Sequence, residues 1–302
     1  MKVLVTGGAG FIGSHLVDEL VRKKYKVIVL DNLSTGSLKN LKFVKNKIKF
    51  IKCDLSKNKN LTKLLYGVDY VFHLAGLSEV NASIKNSYKY YDANVIGTLN
   101  ILNSARYLKL KKFIYSASAS CYGNPKEIPT TEKAKIQTLS PYALTKWISE
   151  KMIMRLAETQ RFPAISLRFF NVYGSRSRAT GPYSAVISIF AKQKLANKAL
   201  TIAGDGLQSR SFIYVSDVVE AMIKAAKSKI FNEIFNVGSQ KSIKINEIAK
   251  IFKGKKTYIP KRIGDPKHSS ANIKKIIKLL NWKPKVSIKE GINLLLRSVD
   301  ER

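Results

Sequence analysis

Cysteine and histidine are scarce in this sequence, and long apolar runs are missing. Two cysteines, Cys53 and Cys121, occur in 302 residues, which is too few for a disulfide framework, and they are not spaced as a metal-binding pair. The three histidines are also unpaired, so we expect no bound metal. No stretch reaches the roughly 18 consecutive apolar residues that a membrane-spanning helix needs. Residues 1–7 run directly into a glycine turn, and we expect a cytoplasmic globular protein.

Acidic residues are few relative to basic ones. The chain has 20 Asp and Glu against 54 Lys and Arg, a formal net charge of +34. Such a charge is typical of nucleic-acid or anionic-membrane binding. The lysines are scattered, however, with only short clusters such as 109–112 and 253–256, and no basic stripe interleaved with aromatic residues occurs along the sequence. We therefore favour a compositional origin and expect neither a membrane nor a nucleic-acid partner, although the charge should attract a substrate that carries a diphosphate.

Short apolar segments alternate with helical ones through the first half of the chain. The pattern predicts strands at 3–6, 26–30, 47–52, 70–74, 112–116 and 164–169, and helices at 10–23, 61–66, 91–109 and 141–159. Strands rich in Val, Ile and Phe, separated by helices, indicate a parallel sheet covered on both faces. Later helices at 185–196 and 215–227 and a buried strand at 234–237 follow. We predict an α/β fold: a doubly wound parallel sheet over 1–170 and a smaller α/β substrate-binding lobe over 171–302. The strand within 231–237 is a candidate additional member of the large sheet.

Three glycines, Gly7, Gly10 and Gly13, lie between the first predicted strand and the first helix. Glycines at this junction permit a tight turn and let backbone N–H groups approach a pyrophosphate at the helix N-terminus. Asp31 follows at the end of the second strand, 21 residues after Gly10, near the spacing of a carboxylate that accepts ribose hydroxyls. Its negative charge disfavours the additional phosphate of NADP. The pattern predicts a Rossmann-type site that binds NAD.

Tyr142 and Lys146 are four residues apart within the helix predicted at 141–159, so their side chains share one face. A free tyrosine has a pKa near 10. A lysine cation and a positively charged nicotinamide nearby would both favour the phenolate and lower that pKa. The pair therefore predicts a tyrosine that serves as a general base near neutral pH.

These segments resemble the extended short-chain dehydrogenase/reductase family, and within it the nucleotide-sugar epimerases. Residues 31–36 (Asp-Asn-Leu-Ser-Thr-Gly) are similar to that family's loop around the adenosine ribose, and residues 73–76 (His-Leu-Ala-Gly) to its signature after the fourth strand. The resemblance covers essentially the whole chain. The cofactor-binding residues that it implies are Gly7, Gly10, Phe11, Ile12, Gly13, Asp31, Asn32, Ser34, Thr35, Gly36, Asp54, Leu55, Leu74, Ala75, Gly76, Asn94, Ser116, Tyr142, Lys146 and Phe170.

The resemblance also implies a reaction. Tyr142, Lys146 and Ser118 would form the catalytic set, with the Ser118 hydroxyl hydrogen-bonded to the sugar's 4-oxygen. Family members that eliminate water or decarboxylate carry an acidic residue just after this serine, where this chain has residues 119–121, Ala-Ser-Cys. We therefore expect an NAD-dependent 4-epimerase of UDP-glucose, UDP-N-acetylglucosamine or both, acting through a transient 4-keto sugar. A nucleotide-sugar reductase or dehydratase, and a non-catalytic NAD-binding or nucleic-acid-binding protein, are the alternatives.

For the substrate lobe, the resemblance implies two arginines that hold the diphosphate and a small residue beside the sugar's 2-position. The implied substrate-binding residues are Ser118, Tyr142, Asn171, Ala185, Val186, Ile202, Arg210, Arg262, Asp265 and Ser269. Because Ser269 is small, we expect room for an N-acetyl group there. The resemblance further implies a homodimer formed by the helices predicted at 91–109 and 141–159.

Overall fold

The computed structural model describes residues 1–177, 186–260 and 267–300, and its strands form one large sheet and three small ones. The strands are β1 (Lys2–Thr6), β2 (Lys26–Asp31), β3 (Ile48–Lys52), β4 (Tyr70–His73), β5 (Lys112–Ser118), β6 (Ala164–Phe169), β7 (Asn171–Tyr173), β8 (Leu200–Ala203), β9 (Ser209–Arg210), β10 (Phe212–Tyr214), β11 (Glu233–Val237), β12 (Ile243–Lys244) and β13 (Lys256–Ile259). The large sheet has the order β11-β6-β5-β4-β1-β2-β3, and all its pairs are parallel. The predicted doubly wound α/β class is confirmed.

Helices connect the strands and cover both faces of the large sheet. They are α1 (Phe11–Arg22), α2 (Thr62–Leu65), α3 (Val80–Lys85), α4 (Ser87–Tyr90), α5 (Gly97–Ala105), α6 (Pro141–Gln160), α7 (Val186–Leu195), α8 (Val215–Lys227), α9 (Ile245–Phe252), α10 (Lys274–Leu280) and α11 (Ile288–Asp300). The helix predicted at 91–109 begins instead with a π-helical turn, Tyr91–Ile96, before α5. Within the described ranges, no helix combines the length and the apolar character needed to cross a bilayer.

The alternation of side chains along each strand supplies two separate cores. Val3 and Val5 of β1 pack on one face of the sheet, in a cluster that includes residues of α1 and α8. Leu4, between them, packs on the other face with residues of α5 and α6. A third cluster, which includes Phe190 and Phe252, fills the smaller lobe. Both faces of the large sheet are therefore buried, as its continuous apolar strands require.

The strand order determines where a ligand can bind. From β1 the chain proceeds outward through β2 and β3, and then crosses to the other side of β1 to form β4, β5 and β6. The connections after β1 and β4 therefore leave the sheet in opposite directions, which opens a crevice at the carboxyl ends of these strands. The loops that lead into the strands lie at the opposite edge.

Candidate active site

A cleft of about 750 Å³ lies at the carboxyl ends of the strands and extends into the smaller lobe. It brings together most of the residues singled out from the sequence, although these are distributed from position 7 to position 269. The predicted residues that line it are Gly7, Gly10, Phe11, Ile12, Gly13, Asp31, Asn32, Ser34, Thr35, Asp54, Leu55, Leu74, Ala75, Gly76, Ser116, Ser118, Tyr142, Lys146, Phe170, Asn171, Arg210 and Ser269. Their roles there stay predictions.

The glycine turn leaves no room for side chains. Gly7 has a φ of +67°, and a Cβ built on it would lie 2.7 Å from the backbone nitrogen of Ala75. A Cβ on Gly13 would lie 2.2 Å from the carbonyl oxygen of Gly7. Gly10 precedes α1, whose first turn contains no acidic side chain. The unpaired N–H groups of this helix N-terminus therefore face the cleft without a competing carboxylate, which fits the pyrophosphate of a dinucleotide.

Two carboxylates, Asp31 and Asp54, line the cleft together with the glycine turn. Asp31 accepts one backbone N–H on each oxygen, from Ala9 at 2.9 Å and from Leu33 at 2.8 Å. Burial raises the pKa of Asp31, and these two hydrogen bonds oppose the rise. Asp54 accepts the Asn32 side-chain amide at 3.0 Å. The carboxylates are thus held in place by the protein, and their remaining lone pairs suit an adenosine ribose.

Tyr142 and Ser118 meet at the centre of the cleft. Tyr142 lies in the first turn of α6, where the Ser140 hydroxyl caps the helix by accepting the Ala143 N–H at 3.2 Å. Both side chains line the cleft, and the Ser118 hydroxyl lies close enough to the Tyr142 phenol to favour its phenolate form. Ser118 Oγ also accepts hydrogen bonds from the backbone N–H and the hydroxyl of Ser120, the latter at 2.9 Å. These two bonds orient the Ser118 hydroxyl so that its proton can be donated into the cleft.

Burial is the largest influence on the pKa values of Tyr142 and Lys146. Burial raises the pKa of Tyr142, and the hydrogen bond from Ser118 opposes this rise. Burial lowers the pKa of Lys146 to about 7, while the Glu150 carboxylate favours its cation. The protein groups alone therefore favour a neutral phenol rather than a phenolate beside a permanent ammonium, because desolvation penalises both charged forms.

A buried ion pair lies behind the lysine. Glu150 Oε1 is 2.5 Å from Arg168 Nη2, and Glu150 Oε2 accepts Arg168 Nε at 3.0 Å and the Ser166 hydroxyl at 2.7 Å. The pair is 95% or more removed from solvent on both sides. It joins α6 to β6 directly behind the catalytic candidates.

His73 is a structural link rather than a ligand. Its Nδ1 is 2.8 Å from Thr6 Oγ1 and its Nε2 is 2.9 Å from Thr98 Oγ1. Burial and then the Lys146 charge lower its pKa to about 3, so the ring is neutral. The Thr98 hydroxyl donates to the carbonyl of Asn94, whose side-chain amide donates to Thr145 Oγ1 at 3.0 Å. Asn94 is buried behind the cleft, and it connects the π-helical turn to α6.

The remaining predicted residues lie elsewhere. Gly36 packs against the backbone of Ala9, Ile202 is fully buried in the core of the lobe, and Val186 packs against that core. Ala185, Arg262 and Asp265 lie outside the described residues.

Arg210 and Ser269, which line the cleft, are held by one carbonyl group. Arg210 Nη1 donates to the Ser209 carbonyl at 2.8 Å, and the Ser269 N–H donates to the same carbonyl at 3.0 Å.

Sequence reasoning missed several residues of the site. Arg176 lines the cleft and pairs with Asp18 of α1 at 2.7 Å. Ser83 accepts the backbone N–H of Tyr142 at 3.0 Å. No local pattern marks either contact, since each joins segments far apart in the chain. Glu150, by contrast, lies one helical turn after Lys146 in α6, so the sequence spacing could have predicted that the two side chains are neighbours. The described residues contain no group of three or more His, Cys, Asp or Glu side chains that could hold a metal ion.

Comparisons with known proteins agree with this geometry. The sequence model of the NAD dependent epimerase/dehydratase family matches residues 3–238. A putative UDP-glucose 4-epimerase of Methanocaldococcus jannaschii is 39% identical over 299 residues, which cover 96% of this chain and 95% of that protein.

Two solved structures are similar over nearly their whole length. UDP-N-acetylglucosamine 4-epimerase of Methanobrevibacter ruminantium, in complex with UDP-N-acetylmuramic acid, has a TM-score of 0.95 at 35% identity and covers 99% of this chain and 98% of its own. UDP-glucuronic acid 4-epimerase of Bacillus cereus, in complex with UDP-glucuronic acid and NAD, has a TM-score of 0.91 at 31% identity. The match covers 100% of this chain and 99% of that chain.

Proposed function

Because the chain belongs to the NAD-dependent epimerase/dehydratase family, we propose that it is a UDP-sugar 4-epimerase that accepts UDP-glucose and UDP-N-acetylglucosamine. The observation that carries this proposal is the cleft that brings Ser118, Tyr142 and Lys146 together with the glycine turn. A hydroxyl and a phenol are sufficient to move one proton reversibly. The cofactor of the family is NAD, and the glycine turn and Asp31 fit it.

NAD, when bound, supplies reversible acceptance of a hydride from a sugar carbon. The residues of this chain supply the proton chemistry and the positioning. Tyr142 removes the proton of the sugar's 4-hydroxyl and later returns it, while Ser118 donates a hydrogen bond to the same oxygen. Since burial disfavours the phenolate, a positive charge next to Tyr142 would favour its base form, and the oxidised nicotinamide of bound NAD would supply such a charge. Lys146 adds its own cation below its pKa of about 7.

The residues after Ser118 argue against a dehydratase or a decarboxylase. These reactions need a second acid or base close to the sugar, and the neighbouring side chains here are Ala119, Ser120 and Cys121. Ser120 is already donating to Ser118. Burial raises the pKa of Cys121 to about 12, so its thiol stays protonated at neutral pH. A single proton-transfer centre supports oxidation and re-reduction of one carbon, which is the chemistry of a 4-epimerase.

A panel of UDP-sugars tests the proposed activity. We expect the purified protein to convert UDP-glucose to UDP-galactose, and UDP-N-acetylglucosamine to its galacto epimer, with no net change in NAD. The anomeric proton signals in NMR report the products, and mass spectrometry of denatured protein reports the retained NAD. Accumulation of NADH in proportion to product, or release of water or carbon dioxide from the sugar, would show a different reaction.

Ser269 provides a test of substrate choice within the same assay. It lines the cleft beside Arg210, and we propose that its small side chain leaves space for the N-acetyl group. Ser269→Tyr should lower kcat/KM for the acetylated sugar by about tenfold or more, equivalent to about 1.4 kcal/mol, while sparing UDP-glucose. Ser270→Thr, a change at the buried neighbour, is the control for loop distortion. Equal losses on both sugars in Ser269→Tyr would show that another residue determines whether the N-acetyl group is accepted.

We also propose a homodimer formed through the faces of α5 and α6. Two apolar side chains at the start of this region, Ile96 and Leu99, are about 40% exposed. Leu99→Glu should shift the protein from twice the chain mass to the monomer in sedimentation velocity, because a charge in an apolar interface is strongly unfavourable. Leu294→Glu, at an equally exposed leucine on α11, should not. A wild-type protein that sediments as a monomer at micromolar concentration contradicts the proposal.

A further inference from the structure

Exposed aromatic side chains are concentrated at the amino-terminal edge of the large sheet, opposite the cleft. Six Phe and Tyr side chains are exposed in the described ranges, and four of them lie in segments that lead into strands of the large sheet. Phe43 precedes β3, Tyr66 precedes β4, Tyr107 precedes β5 and Phe231 precedes β11. They are between 55% and 77% exposed. Because all strands of a parallel sheet begin at one edge, these separate segments come together there.

The segments at this edge of the large sheet are rich in lysine and arginine. We define the amino-terminal edge as residues 22–26, 42–47, 66–69, 106–112, 161–163 and 227–232. Of these 31 residues, 14 are basic, against 54 of 302 in the whole chain, and Asp69 is the one acidic residue among them. Thirteen of the basic side chains are exposed, and Lys112 is buried. A compositional bias alone spreads charge evenly and does not account for this concentration.

Cations also lie directly against three of the four exposed rings. Lys42 Nζ is 4.6 Å from the centroid of the Phe43 ring, and the Arg106 guanidinium is 4.6 Å from that of Tyr107. The Lys112 ammonium lies 5.9 Å from the Phe231 ring. The helices α1, α5, α6 and α8 end at this edge, and cations are favourable at helix C-termini. That effect explains part of the charge, but it does not explain four exposed aromatic rings.

We propose that the amino-terminal edge is a docking surface for an anionic lipid bilayer. Phe43 and Phe231 lead into the two outermost strands, β3 and β11, and the sheet between them is about 29 Å wide at the usual strand spacing. Basic side chains that project from five of the six segments across such a width match a flat anionic surface. Aromatic rings are favoured at the level of the lipid headgroups, where lysine stems can extend between apolar and aqueous regions.

The proposal gives the protein an orientation at the bilayer. The cleft is at the carboxyl ends of the same strands, so it faces away from the lipid and stays open to substrate. Tyr142 and Arg210 lie on that side. Epimerisation should therefore continue unchanged in the membrane-bound protein. This proposal departs from the sequence-based expectation of no membrane partner, because the aromatic and basic residues become neighbours only in the folded chain.

Vesicle flotation tests the surface. We expect the full chain to float with vesicles of equal parts phosphatidylglycerol and phosphatidylcholine in low salt, and not with phosphatidylcholine alone or in high salt. The triple variant Phe43→Ser/Tyr107→Ser/Phe231→Ser should lower the partition coefficient at least about tenfold, since it removes apolar area that enters the interface. Tyr258→Ser, which removes an equally exposed ring from the smaller lobe (56%), should float like the wild type.

Retained NAD and unchanged UDP-sugar turnover in the triple variant establish that it is folded. Absence of the wild-type protein from the floating fraction would overturn the proposal, as would flotation of the triple variant at the wild-type level. Binding to a single-stranded oligonucleotide tighter than the roughly 10⁻⁶ M of non-specific contacts, lost in the triple variant and without flotation, would assign the surface to nucleic acid instead.

Discussion

Tyr142→Phe should reduce kcat for UDP-glucose epimerisation at least about 100-fold, the usual effect of removing a general base. The substitution removes one oxygen atom and keeps the ring that packs edge-to-face with Tyr90. The glycine turn and Asp31, which we propose to hold the cofactor, are unchanged by the substitution, so the protein should still carry NAD. The measurements are kcat by NMR of the anomeric protons and cofactor content by mass spectrometry.

Tyr25→Phe is the matched control for this prediction. Tyr25 lies at the amino-terminal edge, where it packs against Tyr70, and loss of its phenol oxygen should leave kcat within twofold. If Tyr142→Phe turns over within tenfold of the wild type, another group moves the proton. A loss of activity together with loss of NAD would instead show that Tyr142 is needed for cofactor binding.

Arg168→Met should lower the free energy of unfolding by about 3–5 kcal/mol, because it leaves the buried Glu150 carboxylate without its guanidinium partner. Both side chains are almost inaccessible to water, and three direct hydrogen bonds join them. Removing both charges is a milder change, so the double variant Arg168→Met/Glu150→Leu should recover much of the loss. Urea denaturation followed by circular dichroism measures the midpoint for each variant.

An exposed ion pair on the same helix supplies the comparison. Arg155 lies 3.3 Å from Glu158 and is 74% exposed, so Arg155→Met should change stability by no more than about 0.5 kcal/mol. Equal midpoints for Arg168→Met and Arg155→Met would mean that the buried pair contributes nothing beyond a surface contact.

The sequence alone determined the fold class, and it located two parts of the candidate site, namely the glycine turn and the Tyr142–Lys146 pair. Hydrophobic periodicity and strand–helix alternation are local properties. So is the requirement for glycine at position 7, where φ is +67°, and at position 13, where a Cβ would lie 2.2 Å from the Gly7 carbonyl oxygen. The one-turn spacing of Tyr142 and Lys146 is likewise local. These signals can be read along the chain because the structures they encode form within a few residues.

Contacts between distant segments were decided only by the tertiary structure. Burial of Tyr142 and Lys146, which sets the direction of both pKa shifts, depends on how α6 packs on the sheet. The Arg176–Asp18 pair and the Ser83 contact with Tyr142 join residues more than 50 positions apart. The amino-terminal edge is the clearest case. Its aromatic and basic residues are scattered along the sequence, and they form one surface only because a parallel sheet begins all its strands at the same edge.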